Sequence, residues 1–411
     1  MKPFSLKESV LFSYRSYAHF LRRTFLAHRG TQARMTPKRF AIMLPFFIAL
    51  LVLQTMHWIA FVADEILFAG YKSVEIRRPL FIVGVPRSGT TFLHRLLSED
   101  RDTFVTFSLW ELILAPSIAE RKIIHGLASL DRRIGSPIGS LVRLLERTAF
   151  SGLDDIHGIS LSDPEEDYLT LLPVYACFLM ILPFPFPEDL GHLAFFDDQT
   201  PDQDQERIMA FYKTCLQRHL YVHGTGRTLL SKNVSFGPML ETLTRVFPDA
   251  RVVGTVRDPL SAVPSHISAM LEGAAFFDND TRGDAFRDQM IDVQRYAYTH
   301  LAEVLPRLPR ERRVLARMED LHADLAGVVR RIYARFGLTV TPAFSEILDH
   351  RARIQKTYRS RHRYDPARYN LSAAEIFRRF HDVYPRFGYR PPPDSRRGKE
   401  NHCRRSGVHI A

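Results

Sequence analysis

"LFIVGVPRSGTTFLHRLLSED", residues 80–100, joins an apolar run to a glycine-containing turn and then to a helical pattern. A continuously apolar, β-branched run such as 80–85 suits a parallel strand covered on both faces. Leu93, Leu96 and Leu97 then recur at helical spacing. Between them, Gly84, Gly89 and Thr91 hold their places in G-x-x-x-x-G-K-[ST]. Thr90 stands where that pattern has lysine, and Arg87 supplies the only cation. A loop between a strand end and a helix start aims several backbone N–H groups and the positive helix end at one point. The stretch therefore reads as a phosphate cradle without the lysine that reaches a γ-phosphate. Gly89 gives the backbone close approach, while Ser88, Thr90 and Thr91 add hydroxyls.

Working outward, short apolar runs end in polar or glycine- and proline-marked turns and alternate with helical stretches. They are "TFVTF" (103–107), "TLLSK" (228–232), "RVVGTV" (251–256) and a strand within 312–318. This predicts an α/β, P-loop-like three-layer domain with a central parallel sheet of about five strands. Residues 115–225 read as a helical cap insertion over the sheet's carboxyl edge. It contains the proline-broken apolar run "LLPVYACFLMILPFPF".

The excess charge is at the two ends. Residues 1–40 hold nine Lys/Arg and only Glu8, and residues 391–411 hold five against two acids, leaving 41–390 neutral within the net +11. A folded nucleic-acid-binding face is not indicated. Leu6, Val10, Tyr14, Tyr17, Leu21 and Phe25 form one helical stripe, suited to a membrane surface or to the protein's own core. Residues 40–63 carry no charged side chain and exceed the ~20 residues needed to span a bilayer. A full crossing, with Trp58 as an interfacial anchor, a kinked hairpin in one leaflet and a helix buried in the domain all fit. The reading divides the chain into a basic arm (1–39), an apolar membrane-associated segment (40–69), a catalytic domain (70–390) and a disordered basic tail (391–411). Three scattered cysteines, Cys177, Cys215 and Cys403, indicate neither a disulfide framework nor a metal site.

The fourth strand ends in Arg257 and Asp258. An arginine at that tip fits a phosphate held without a metal. "PRSGTT" after a strand, followed by "FPDARVVGTVRDPLSAVPSHIS", resembles the sulfotransferase superfamily, in its bacterial-type P-R-S-G-T-T branch. The resemblance implies 3′-phosphoadenosine 5′-phosphosulfate (PAPS) as sulfuryl donor and no metal. It places Arg87, Ser88, Gly89, Thr90 and Thr91 on the 5′-phosphosulfate, and Arg257 and Ser265 on the 3′-phosphate. Lys232 would lie near the transferring group, "RMEDL" (317–321) would follow the last core strand, and Arg361 and Arg363 would reach the nucleotide. Glu111 and His157 are the two candidate bases for the acceptor hydroxyl. Glu165 and Glu166 read instead as part of an N-cap, Asp163-Pro164-x-Glu166.

The implied partners are PAPS, a hydroxyl- or amine-bearing acceptor of hydrophobic or lipid-linked character, and membrane lipid. A P-loop kinase and a non-catalytic membrane-bound nucleotide-binding protein are the alternatives. Arginine outnumbers lysine 47 to 9, a bacterial bias. Monotopic attachment on the cytoplasmic face is expected, with a single span and an outside or lumenal catalytic domain as the alternative.

Overall fold

The protein's structure, a computed structural model, describes residues 4–142, 160–357 and 365–392. His157, Arg361, Arg363 and nearly all of the basic tail lie outside the described residues.

The opening stretch forms β1 (Leu80–Gly84), the middle strand of five. With β2 (Phe104–Val105), β3 (Thr228–Lys232), β4 (Arg251–Val256) and β5 (Arg313–Arg317), it makes a sheet of order β2-β3-β1-β4-β5. Every adjacent pair is parallel. All five residues of β1 and all six of β4 are buried, which is why neither sequence alternates. Phe81 and Val83 join the larger core on one face; Leu80 and Ile82 join a smaller core on the other. The domain is thus a three-layer α/β fold. Gly84 is required by the packing of β1 on β4, because a Cβ there would stand 2.2 Å from Thr255 Oγ1 and 2.4 Å from the Thr255 carbonyl oxygen.

The N-terminal region departs from expectation in three ways. Residues 37–67 form one continuous helix, not a hairpin, and it starts before residue 40. Helix α1 (Leu6–Phe25) precedes this helix, α2 (Pro37–Leu67), and packs on the domain. The fully buried positions of α1 are Ser9, Ser13, Phe20 and Thr24, not the aromatic stripe alone. Small hydroxyl residues let α1 approach closely: Ser13 Oγ donates to the Pro173 carbonyl at 2.5 Å and accepts from Trp58 Nε1 at 3.0 Å. Trp58 is therefore a core residue rather than an interfacial anchor.

Helix α2 keeps Arg39, Met43, Phe47, Gln54, His57, Phe61 and Asp64 inward. Arg39 is wholly buried, donating to the carbonyls of Phe277 (2.7 Å) and Pro183 (2.8 Å), and so belongs to the fold rather than to a basic arm. Asp64 meets Arg218 at 3.0 Å. His57 meets Glu120 at 2.6 Å.

Candidate functional site

At the carboxyl end of β1 the chain enters helix α3 (Thr90–Leu97) through Gly89, whose φ of +87° favours glycine. A side chain at Gly89 would also strike Met318 Sδ at 2.3 Å. Arg87 adopts φ +68°, an uncommon backbone for a residue with a side chain and a mark of a constrained loop. The parallel register sets the other parts beside this loop. Ile82 pairs with Lys232 and Gly84 with Thr255, so β3 and β4 end on either side of it. That junction, where the connections diverge to opposite sides of the sheet, is where ligands bind in open α/β folds.

A cavity of about 680 Å³ opens there. Arg87, Gly89, Thr90, Thr91 and Arg257 line it, so the structure brings five predicted donor-binding residues together. Arg87 Nε donates to Ser265 Oγ at 2.9 Å, joining the two predicted loops directly. Arg257 Nη1 reaches the Arg87 carbonyl at 3.4 Å. Ser265 and Ser88 stand behind the wall instead of lining it. The Ser88 hydroxyl bonds the Val85 carbonyl (2.7 Å) and Thr255 (2.6 Å), so its side chain fixes the loop and leaves only its backbone for a ligand.

Glu111, one of the two candidate bases, has a structural setting. It does not line this cavity. It starts helix α4 (Leu109–Ile113) in a capping box with Ser108. One carboxylate oxygen accepts from the Ser108 N–H (2.9 Å) and hydroxyl (2.7 Å), and the other meets His223 Nε2 at 2.6 Å. Burial alone would raise its pKa. The His223 bond and nearby Arg121 outweigh that and hold it far below the usual carboxylate range. A carboxylate so satisfied is a poor proton acceptor. Glu111, His219 and His223 have ligand atoms within 4.8 Å of one another, the one such group among the described residues. Buried Arg121, 3.7 Å from Glu111, already supplies the positive charge that a metal would bring.

Glu166, which the sequence reading assigned to an N-cap, lies in the cavity wall. Pro164 does not open a helix; it bridges Ser108 in an antiparallel pair. The Glu166 carboxylate is hydrogen-bonded to Lys232 Nζ, with Glu165 3.9 Å from the same nitrogen. Beneath them, buried Asp167 accepts from Tyr212 OH (2.5 Å) and Ser231 Oγ (3.0 Å). Burial pushes Asp167 up to about 7, partly offset by those two bonds. A folded-state pKa above the unfolded one gives stability present below the ordinary carboxylate range and lost as pH rises through about 7. The melting temperature should therefore fall between about pH 4 and about pH 7, and Asp167→Asn should flatten that slope. Thermal melts of both proteins across that range check it; parallel slopes would refute it.

Phe178, Leu179, Leu193, Met270 and Val293 make an apolar part of the wall, while Arg95, Glu99, Ser235 and Arg351 add polar groups. The first two come from the proline-broken run, whose role the sequence left open. His266 also lines the cavity; it is buried, with Nδ1 unpartnered, and burial pulls its pKa down to about 4, so it is neutral.

Comparison with known proteins agrees with this architecture. The Sulfotransferase family model matches residues 79–135 and 183–342, more than half of the chain. Omega-hydroxy-beta-dihydromenaquinone-9 sulfotransferase Stf3 of Mycobacterium bovis, and that of Mycobacterium tuberculosis, are each 28% identical over 274 residues, 63% of this chain. The match likewise spans 63% of the length of those curated relatives. Sulfotransferase STF9 from Mycobacterium avium shares the fold with a TM-score of 0.70 at 16% identity, over 93% of this chain and 97% of that one. Sulfotransferase STF1 from Mycobacterium tuberculosis H37Rv does so with a TM-score of 0.62 at 20% identity, over 90% and 92%. The phosphate-cradle loop, the strand-tip arginine and the family match converge: the chain belongs to the sulfotransferase family.

Proposed function

We propose that this chain moves the sulfuryl group of PAPS to a hydroxyl, or an amine, of an apolar lipid-linked acceptor, at a membrane surface on the cytoplasmic side. One observation carries the reading. The loop arginines Arg87 and Arg257 and a helix N-terminus meet in a cavity that also holds a carboxylate–lysine pair and continues into apolar wall. The cationic end suits the donor's phosphates, and the apolar end suits a hydrophobic acceptor. Phe92 and Met318 offer apolar and polarizable surface for a nucleobase.

Glu166 is the base. In the free protein its carboxylate is held by Lys232. The bound phosphosulfate draws Lys232 towards its oxygens and releases the carboxylate to take the acceptor proton. The acceptor oxygen then bonds sulfur while the bridging S–O bond breaks, its electron pair passing to the 5′-phosphate. Arg87 and Lys232 neutralise charge on the bridging and sulfuryl oxygens, and Arg257 with Ser265 holds the 3′-phosphate.

Calorimetry with 3′,5′-adenosine bisphosphate, with and without Mg²⁺, tests the donor. Binding that ignores Mg²⁺ is expected, and no binding would sink the reading. Arg257→Ala should weaken it by roughly 100-fold, as loss of a charge-assisted bidentate contact does. Arg87→Ala should lower turnover more than affinity. Equal losses would place Arg87 on the 3′-phosphate together with Ser265, to which it is hydrogen-bonded.

A further inference from the structure

Helix α2 is the one helix among the described residues long and apolar enough to cross a membrane, and only 33% of its most apolar stretch is buried. Its outward stripe exposes Phe40, Leu44, Ile48, Val52, Met56 and Ile59. Val62 and Ile66 continue the same spacing. Isolated exposed leucines are ordinary, but eight large apolar side chains on one stripe mark an interaction surface. Helix α5 (Ile118–Arg133), anchored to α2 through Asp64 and His57, adds exposed Ile123, Leu127 and Leu130 at helical spacing.

Deepening the proposed membrane association and resting on it, we infer that the outward faces of α2 and α5 form an in-plane docking surface for an anionic phospholipid bilayer, with α2 lying along the interface and not spanning it. Three observations select a bilayer. The inward face of α2 is polar at four points, Arg39, Gln54, His57 and Asp64, each bonded to the domain. A crossing helix would strip all four and place them in hydrocarbon. The outward stripe carries no charge from residue 40 to 63, whereas exposed Arg22, Arg29, Arg34 and Lys38 gather just before it. That pairing of apolar face and basic border is the pattern of an interfacial helix on anionic lipid. Finally, α2 holds the cavity wall. Arg39 bonds Pro183 in the segment that presents Phe178 and Leu179, and bonds Phe277, which ends the helix carrying His266 and Met270. Arg39 thus ties α2 to two segments that shape the apolar part of the active cavity.

The test uses the full chain with vesicles of phosphatidylcholine alone or mixed with phosphatidylglycerol, read by sedimentation. The wild type should bind the mixed vesicles, more weakly at high salt. The double variant Ile48→Glu/Ile59→Glu should lose at least about tenfold in vesicle affinity, with melting temperature and bisphosphate affinity unchanged, since neither side chain contacts the core. Absent vesicle binding by the wild type, or equal binding by the variant, would overturn the inference. So would a wild-type dimer, in vesicle-free buffer, that the variant converts to monomer. Failure of the donor reading looks different: vesicle binding persists while bisphosphate does not bind.

Discussion

Glu166→Gln is expected to lower kcat by about 10²–10⁴-fold, the usual contribution of a positioned general base. Bisphosphate affinity should change little, because an amide still fills the space beside Lys232 and the donor loop lies on other elements. Glu166→Asp should recover part of the loss, since it keeps the carboxylate and shortens its reach. The log of kcat should rise with pH on the acid limb in the wild type and lose that limb in the glutamine variant. Glu111→Gln provides the contrast. It removes one acceptor of a satisfied capping box beside buried Arg121, so its expected effect is on stability and not on the proton transfer. Steady-state kinetics with separate kcat and KM, alongside melting temperatures, distinguish the two. A Glu166→Gln enzyme that turns over at the wild-type rate would rule out this base and direct attention to Glu165, which faces the same lysine.

The setting of these two glutamates marks where local sequence patterns stop being informative. The capping-box pattern is local; at Asp163–Glu166 the chain instead pairs with Ser108, whereas the pattern holds at Ser108–Glu111 and at Ser117–Glu120. What decides between the sites is Lys232, distant in the chain and delivered by the register of β3 on β1. No spacing rule carries that information. The five strands and the phosphate loop were legible because each rests on its own residues. Continuous apolar runs demand a sheet covered on both faces, and Gly84 and Gly89 are dictated by close approach and positive φ. In α1, periodicity gave the helix, and five of the six stripe residues do pack half-buried on the core, but the most deeply buried positions are mainly small hydroxyl ones, whose partners Pro173 and Trp58 lie elsewhere in the chain.

Asp64→Ala is expected to destabilise the whole protein by about 3–5 kcal/mol, the cost of leaving a buried charge without its partner. Asp64 is fully buried near the end of α2. Its carboxylate meets Arg218 Nε at 3.0 Å and accepts the first backbone N–H groups of α5, from Ile118 (2.9 Å) and Ala119 (2.8 Å). Arg218 is itself fully buried, stacks within 4.1 Å of the Tyr71 ring and has one guanidinium nitrogen already unpartnered. Alanine would leave that cation with Glu65, 3.1 Å from its other side, as its counter-charge, and would leave two helix N-terminal donors without their acceptor. The loss would be a large part of the ~5–15 kcal/mol that holds a domain folded. Chemical denaturation measures it, and a loss below about 1 kcal/mol would show the pair to be dispensable. Adding Arg218→Met should return part of the stability, because it removes the buried charge that has lost its closest partner. The same contacts bear on how the membrane face is to be probed. Cutting the chain after residue 63 would remove Trp58 and Phe61, which pack on Phe211, together with Arg39 and its hold on Pro183 and Phe277. Such a truncation would damage the catalytic cavity as well as any anchor. Charge placed on the outward stripe of α2 separates the two roles, because the helix that would face lipid is, on its other side, part of the wall that shapes the site.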